Sequence, residues 1–360
     1  MLTMHMMVLA PGRVRMSKVR LGLVGLGMAS APHAASLKEL AHRVTVAGVY
    51  SPSAARREAF AARHGFPTVD DIDDLIGAPD IDALLLLTPP STHLELVRRA
   101  AGAGQHILLE KPLETSLQRA QELVATAEAA SITLAVVLQR RHRRSLVEAQ
   151  AMLSQGELGE IVSASARIAN WRPQSYYDEP GRGTLARDGG GVLLTQAIHT
   201  LDQLIALAGM PGRVAAFATT SLMHRMETED LVQAVLHYDS GALGSISATT
   251  AAYPGFEDEI EILATKGSIR LQANGARIAL MDGTERRIDD DGADGGSGAD
   301  PMAFSHANHR AVLEDFLTAV ETGRQPRVSG RDALRVHRLI DMLLASAADG
   351  GRPVAQSQGE

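Results

Sequence analysis

Five apolar runs alternate with four helical stretches over the first 138 residues, and no other feature of the chain restricts its possible folds as much. The runs are Val19 to Val24, Val44 to Val49, Ile81 to Leu87, His106 to Leu109 and Ile132 to Leu138. Between them lie the helical stretches Met28 to Leu40, Ala54 to His64, Thr92 to Ala103 and Glu114 to Ala130. From Ile81 to Leu87 only Asp82 is polar, as expected of a strand buried on both faces. This β-α-β-α order predicts an α/β fold with a doubly wound parallel sheet. Such sheets bind ligands beyond the carboxyl ends of their strands. The candidates are therefore Gly25 to Met28, Ser51, Thr88-Pro89-Pro90, Glu110-Lys111-Pro112 and Gln139-Arg140.

The first of these positions has a specific chemistry. Gly25-Leu26-Gly27 lies between a strand and a helix, the setting in which a dinucleotide fingerprint has meaning. Gly25 allows the tight turn, Gly27 and Met28 let the backbone approach a pyrophosphate, and the N–H groups opening the helix hold the anion. The third fingerprint position carries Ser30, small enough to keep helix and strand close. After the second strand, an Asp or Glu would select the ribose of NAD. The chain has Tyr50-Ser51-Pro52-Ser53 there, with Arg56 and Arg57 one turn on. A small hydroxyl beside arginine suits a 2′-phosphate. The expected cofactor is NADP, with NAD as the alternative. Thr88, Pro89 and Glu110 sit at neighbouring strand ends and are expected against it. Lys111 at the same edge can give or take a proton if burial and nearby positive charge lower its pKa. Alcohol–ketone interconversion needs such a group, since a proton moves on oxygen while hydride leaves carbon.

With these residues in place the chain resembles the Gfo/Idh/MocA dehydrogenases, the family of glucose–fructose oxidoreductase and inositol dehydrogenase. Four features carry the resemblance: Gly25-Leu26-Gly27 with His33; Thr88-Pro89-Pro90 with His93; Glu110-Lys111-Pro112; and Asp188-Gly189-Gly190-Gly191 leading to His199-Thr200-Leu201-Asp202. It runs from about Val19 nearly to the C-terminus. It implies a Rossmann domain followed by an α/β domain with an open, mostly antiparallel sheet. It also implies a catalytic Lys111 with a cis Lys111-Pro112 bond, and His199 binding the substrate hydroxyl or helping to move its proton. His93 joins the cofactor residues, and Arg140 is the match to an arginine that approaches the active site. Many relatives have aspartate four residues before the histidine. Here Thr195 stands there with Gln196 beside it, so proton transfer falls mainly to Lys111.

The second half agrees. A helix is predicted from Val192 to Ala208, with Thr195, His199 and Asp202 on one face. The three glycines before it suit either close approach to a ligand or a plain loop. Only twelve residues are aromatic, and Trp171, Tyr176 and Tyr177 fall within seven positions. Trp171 and Tyr176 are candidates to stack on a sugar or cap a pocket; a packed loop or a subunit contact is the other reading. Arg172, Arg182 and Arg187 add charge suited to a hydroxylated, carboxylate or phosphate-bearing substrate. In the basic run 139–144, the arginines other than Arg140 read as a solvated helix face. From Arg213, strands Leu231 to Tyr238 and Ala242 to Thr249, then Glu257 to Ala264 and Ser268 to Leu271, read as hairpins. The resemblance implies that their sheet packs on another subunit, in a homodimer or homotetramer. His306 to Thr322 and Arg331 to Ala347 are helices, and the Asp/Gly-rich 289–300 is a solvated loop without EF-hand spacing.

Length and composition bound the rest. At roughly 150 residues per domain, 360 residues make two. The division expected is a mobile tail over 1–18, a dinucleotide-binding domain over 19–138 and a substrate and oligomerisation domain over 139–360. A net charge of −7 argues against nucleic acid. The absence of cysteine excludes disulfides and thiol catalysis and fits a cytoplasmic protein. No apolar run reaches the ~18–20 residues of a membrane span, so no membrane partner is expected. The expectation is a dehydrogenase for a sugar, polyol, cyclitol or sugar derivative, with a small-molecule substrate and no metal. Two alternatives stand beside it: a dehydrogenase for cis-dihydrodiols or aromatic acids, and a non-catalytic NAD(P)-sensing regulator.

Overall fold

The computed structural model describes residues 18–290 and 305–356. The expected tail, except Lys18, and most of the Asp/Gly-rich loop therefore lie outside the described residues.

Five strands form a wholly parallel sheet: β1 (Val19–Val24), β2 (Val44–Tyr50), β3 (Ala83–Leu86), β4 (His106–Glu110) and β5 (Leu134–Val137). Their order is β2-β1-β3-β4-β5, so the chain reverses direction across the sheet between β1 and β3. The connecting helices are α1 (Ser30–Glu39), α2 (Ala54–His64), α3 (His93–Gly102) and α4 (Leu117–Ala129). All four residues of β3 are buried, because helices cover both faces. α2 begins where Ser53 accepts a hydrogen bond from the Arg56 N–H and ends at Gly65 in the left-handed region.

Beyond α5 (Arg144–Ser154) the chain builds a second sheet. Its strands are β6 (Ile161–Ala169), β7 (Arg213–Thr219), β8 (Leu231–His237), β9 (Leu243–Thr249), β10 (Glu259–Ala264), β11 (Gly267–Gln272), β12 (Gly275–Leu280), β13 (Glu285–Asp289) and β14 (Val354–Ala355). The order is β13-β12-β11-β10-β6-β9-β8-β7-β14, antiparallel except for the β6–β9 pair. Short helices α6 (Gln174–Tyr177) and α7 (Leu185–Asp188) precede α8 (Ile198–Ala208), and α9 (Ala307–Thr322) and α10 (Gly330–Ala348) follow the strands. In β8 the pattern alternates: Val232, Ala234 and Leu236 point inward and the intervening residues outward. The inner face also carries Ala164, Ala166, Ala216 and Ala248, small enough to let α8 and α10 lie close.

Two features depart from expectation. The helix expected from Val192 is not uniform, because Leu193–Ala197 winds as a π turn before α8. And α9, though assigned by the sequence division to the second unit, packs on the first: Val312, Leu313, Phe316 and Leu317 share a core with Leu21, Leu23 and Leu37. The helical stretch 185–208 has the length and apolar content of a membrane span, but 72% of its most apolar window is buried inside the protein.

Candidate active site

The carboxyl ends of β1, β3 and β4 open onto a cavity of about 320 Å³ that the second sheet closes from the other side. This volume is at the small end of the ~300–1,000 Å³ typical of ligand sites. Met28, Leu87, Thr88, Glu110 and Lys111 line it from the first half of the chain, and Asn170, Arg172, Tyr176, Thr195 and His199 from the second.

At its entrance Gly25 has φ +102°, and a Cβ there would lie 2.7 Å from the Leu87 carbonyl, so only glycine makes this turn. At Gly27 a Cβ would meet no atom within 4 Å, which leaves the backbone open to a ligand. No side chain caps α1 behind it; the Ser30 N–H turns back to the Gly27 carbonyl at 3.1 Å, and the uncapped helix start suits an anion. Ser30 is buried and donates to the Gly27 carbonyl at 2.6 Å, bracing the turn. These residues fit a dinucleotide phosphate. At the end of β2, Ser51 is buried, and its carbonyl accepts from Arg57, which also pairs with Asp70 at 2.7 Å. Arg56 is exposed at the start of α2.

Lys111 follows β4 directly, and its bond to Pro112 is cis. Its Nζ donates to the Thr195 carbonyl at 3.1 Å, at the π turn, which joins the two halves of the cavity. Burial draws the ammonium below its ordinary pKa; Glu110 opposes this, and Arg140 and Arg172 reinforce it. Glu110 accepts from the Lys111 N–H at 3.0 Å and lies 3.0 Å from His33 Nε2. Burial works against its charge, but the His33 hydrogen bond and the nearby His33, Lys111 and His309 hold it below its ordinary value. His199 is neutral over a wide range, because burial and then Lys111 and Arg140 push its pKa well down. Its Nδ1 is buried and without a hydrogen-bond partner.

On the second side, Asp258 accepts from Arg140 at 2.8 Å, from Thr200 at 2.7 Å and from Asn170 at 2.9 Å. Tyr176 Oη accepts from Arg182 at 2.8 Å and from Gln196 at 3.4 Å. The Thr195 hydroxyl donates to the Gly191 carbonyl at 2.6 Å and also meets the Gln196 amide. Met28, Thr88, Glu110, Lys111, Arg140, Tyr176, Thr195, Gln196 and His199 thus converge as expected.

Several expectations are corrected. Trp171 does not line the cavity: it packs edge-on against Tyr253 at 5.4 Å, and the residues on either side, Asn170 and Arg172, face inward instead, as strand alternation requires. His93 is fully buried, with its ring between the Thr88, Pro112 and Leu113 carbonyls, so it braces two loops behind the site. Pro89 opens a one-turn helix beside the cavity without lining it. Asp202 leaves the His199 face for the core, where Arg141 grips it at 2.6 and 2.7 Å. Arg141 and Arg143 are therefore buried in ion pairs, the latter with Asp290, and do not form a solvated face. In the glycine run, Gly189 packs on Thr115 and Gly191 on Glu229, which accepts from the Gly191 and Leu193 N–H groups; Gly190 and Gly191 also border a second, smaller cavity beside Lys111. Asp258 and His309 line the cavity with no local signal in the sequence, since each arrives from a distant segment.

Residues 19–138 match the profile described as an oxidoreductase family with an NAD-binding Rossmann fold, and 146–270 match the GFO/IDH/MocA C-terminal domain. The D-xylose 1-dehydrogenase (NADP(+)) 2 of Haloferax volcanii is 30% identical over 92% of this chain and 97% of its own. The chain belongs to the Gfo/Idh/MocA family of oxidoreductases. The inositol 2-dehydrogenase of Rhizobium meliloti is 28% identical, covering 92% of this chain and 97% of its own. Among solved structures, the WlbA dehydrogenase of Chromobacterium violaceum, in complex with NADH and UDP-GlcNAcA, is 29% identical with a TM-score of 0.82, covering 99% of this chain and all of that one. The protein is accordingly an enzyme of an NAD-binding oxidoreductase family whose relatives include sugar and polyol dehydrogenases.

Proposed function

We propose that the protein interconverts a secondary alcohol and a ketone on a sugar, polyol, cyclitol or sugar derivative, with Lys111 as proton donor and acceptor. The observation that supports this most is the shared position of Lys111 and His199 in one cavity beside the Gly25–Gly27 turn. A bound nicotinamide supplies the hydride acceptor or donor for such a reaction. Lys111 Nζ takes the hydroxyl proton as the alcohol is oxidised and returns it in reverse, and its lowered pKa makes the neutral amine accessible. Neutral His199 hydrogen-bonds the same hydroxyl and orients it. Asp258, held by three donors, keeps Arg140 beside the site.

NADP is the proposed cofactor. Ser51 lacks a carboxylate that would repel a 2′-phosphate, and Arg56 is exposed beside it. Arg57 is engaged by Asp70 and serves the loop. A homo-oligomer is proposed from the sheet face turned away from the helices, which exposes Phe217, Val235, Leu243 and Leu263.

Lys111→Ala tests the reading. Turnover of any accepted alcohol should fall by at least 10³-fold, while NADPH still binds, more tightly than NADH, by nicotinamide fluorescence. Unchanged turnover overturns the mechanism, and a preference for NADH overturns the role of Ser51 and Arg56.

A further inference from the structure

We propose that Glu229 is a positioning residue for the proton transfer: it holds the start of the helical stretch 193–208 and so sets the Thr195 carbonyl against Lys111 Nζ. The inference rests on the reading of Lys111 as the group that moves the proton, and Glu229 acts from outside the cavity lining.

A helix opens with N–H groups that its own turns cannot satisfy. Here the residues before it, Gly189 to Gly191, have no side chain to offer, and the nearest upstream carboxylate, Asp188, accepts instead from the Gly183 N–H at 2.8 Å. The segment before β8 supplies the partner. The two carboxylate oxygens of Glu229 accept from the Gly191 N–H at 3.0 Å and the Leu193 N–H at 3.1 Å, and its main-chain carbonyl accepts from the Val192 N–H at 2.8 Å. One residue thus takes three consecutive donors, and its charge suits a helix N-terminus. The packing is tight on both sides. A Cβ on Gly191 would overlap the Glu229 carbonyl, and a Cβ on Gly189 would overlap the backbone of Thr115, which follows Lys111-Pro112 closely in the chain. The glycine run is therefore pressed between the two halves of the molecule beside Lys111.

This hold passes to the lysine through a short chain of bonds. The Gly191 carbonyl accepts from the Thr195 N–H at 3.0 Å and from the Thr195 hydroxyl at 2.6 Å. The Thr195 carbonyl in turn accepts from Lys111 Nζ at 3.1 Å. Between them lies the π turn Leu193–Ala197, whose wider winding makes the direction of the Thr195 carbonyl depend on where the turn begins. Glu229 fixes that beginning. Lysine is a point charge on a flexible stem, so Nζ stays in place only if its acceptor does. A misplacement of about 1 Å at such a group is enough to cost ~100-fold in rate.

The experiment reads the ionisation of Lys111 directly, so it needs no known substrate. The full-length protein and its Glu229→Gln, Glu229→Ala and Glu227→Gln variants, each with and without NADPH, are labelled with trace acetic anhydride across a pH series, beside a free amine of known pKa. Lys111 acetylation is followed by mass spectrometry. Glu227 serves as the control: it is exposed and accepts from the Leu185 N–H at 3.1 Å, so it carries the same charge without reaching the π turn. The Thr195 carbonyl favours the ammonium form, and its displacement should move the Lys111 limb down by about one unit in Glu229→Ala. Glu229→Gln, which keeps the shape and one acceptor, should move it less, and Glu227→Gln should leave it in place. On the best alcohol of a sugar and polyol panel, kcat should fall roughly 10–100-fold in Glu229→Ala with KM within about 3-fold, and Glu229→Gln should recover part of the loss. Should Glu229→Ala fail to fold, Glu229→Gln decides. A limb that stays in place in the Glu229 variants overturns the inference and leaves the dehydrogenase reading intact. An equal shift in Glu227→Gln also overturns it, since charge alone then accounts for the effect. The expected shift in a protein that oxidises no alcohol of the panel supports the placement of Lys111 by Glu229 and overturns the dehydrogenase reading.

Discussion

Arg140 and Arg141 are neighbours in sequence, and each pairs with a carboxylate more than 60 residues away, yet the two pairs occupy different environments. Arg141 and Asp202 have side chains 8% and 1% exposed in the core between α8 and the one-turn helix at 139–142. Arg140 and Asp258 are 16% and 11% exposed and line the cavity. The core pair is bidentate and closed. In the cavity pair Arg140 Nη1 reaches both Asp258 and Thr200, and Asp258 spreads its charge over Arg140, Thr200 and Asn170. The same two residue types therefore close the core in one place and line the proposed active site in the other, and burial with hydrogen-bond saturation separates them.

The largest effect that can test this contrast is on stability. Arg141→Met leaves Asp202 buried without its partner, at an expected cost of about 3–5 kcal/mol in urea unfolding. Adding Asp202→Leu should recover most of the loss, since the pair itself contributes little net stability. An unchanged midpoint in the single variant would erase the distinction. Arg140→Met should instead leave the unfolding midpoint nearly unchanged and lower kcat/KM by roughly 10–100-fold, as expected when one substrate-positioning group is lost. A variant that unfolds but retains specific activity would reverse the assignment.

The smallest effect is the most discriminating. In the proposed reaction alcohol oxidation needs Lys111 neutral, so kcat/KM should rise with pH through its lowered pKa. Arg140 is among the cations that depress that pKa. Arg140→Met should therefore move the rising limb to higher pH, and Arg141→Met should leave it in place. A shift in the opposite direction, or an equal shift in both variants, would show that Arg140 does not act on Lys111.

Much of the first sheet was legible because its signals are local. The apolar run Val19 to Val24 became a strand with the same limits, and Ala54 to His64 a helix with the same limits, closed by Ser53 and Gly65. The hairpins of the second sheet were also readable from alternation and turn residues. The site was legible where its residues end a strand, as Lys111 and Thr88 do, and where the aromatic cluster or the family resemblance singled them out, as for Tyr176, Thr195, Gln196 and His199. Asp202 misled, because helical spacing puts it near His199 but cannot show that Arg141 competes for it. The π turn at 193–197 further alters which carbonyl meets Lys111, and a periodicity argument assumes a uniform helix. Asp258 and His309 were silent, since their positions depend on strand order and on the return of α9 across the molecule.

That return limits how the enzyme can be recombined. Phe316 and Leu317 of α9 complete a core begun by β1, and His309 on the same helix lines the cavity. A chimera that takes only residues 19–138 from one parent inherits an interior with a foreign stopper. Exchange of nucleotide-binding halves among relatives should succeed when α9 travels with the half it plugs, so the natural unit of shuffling is discontinuous in the gene.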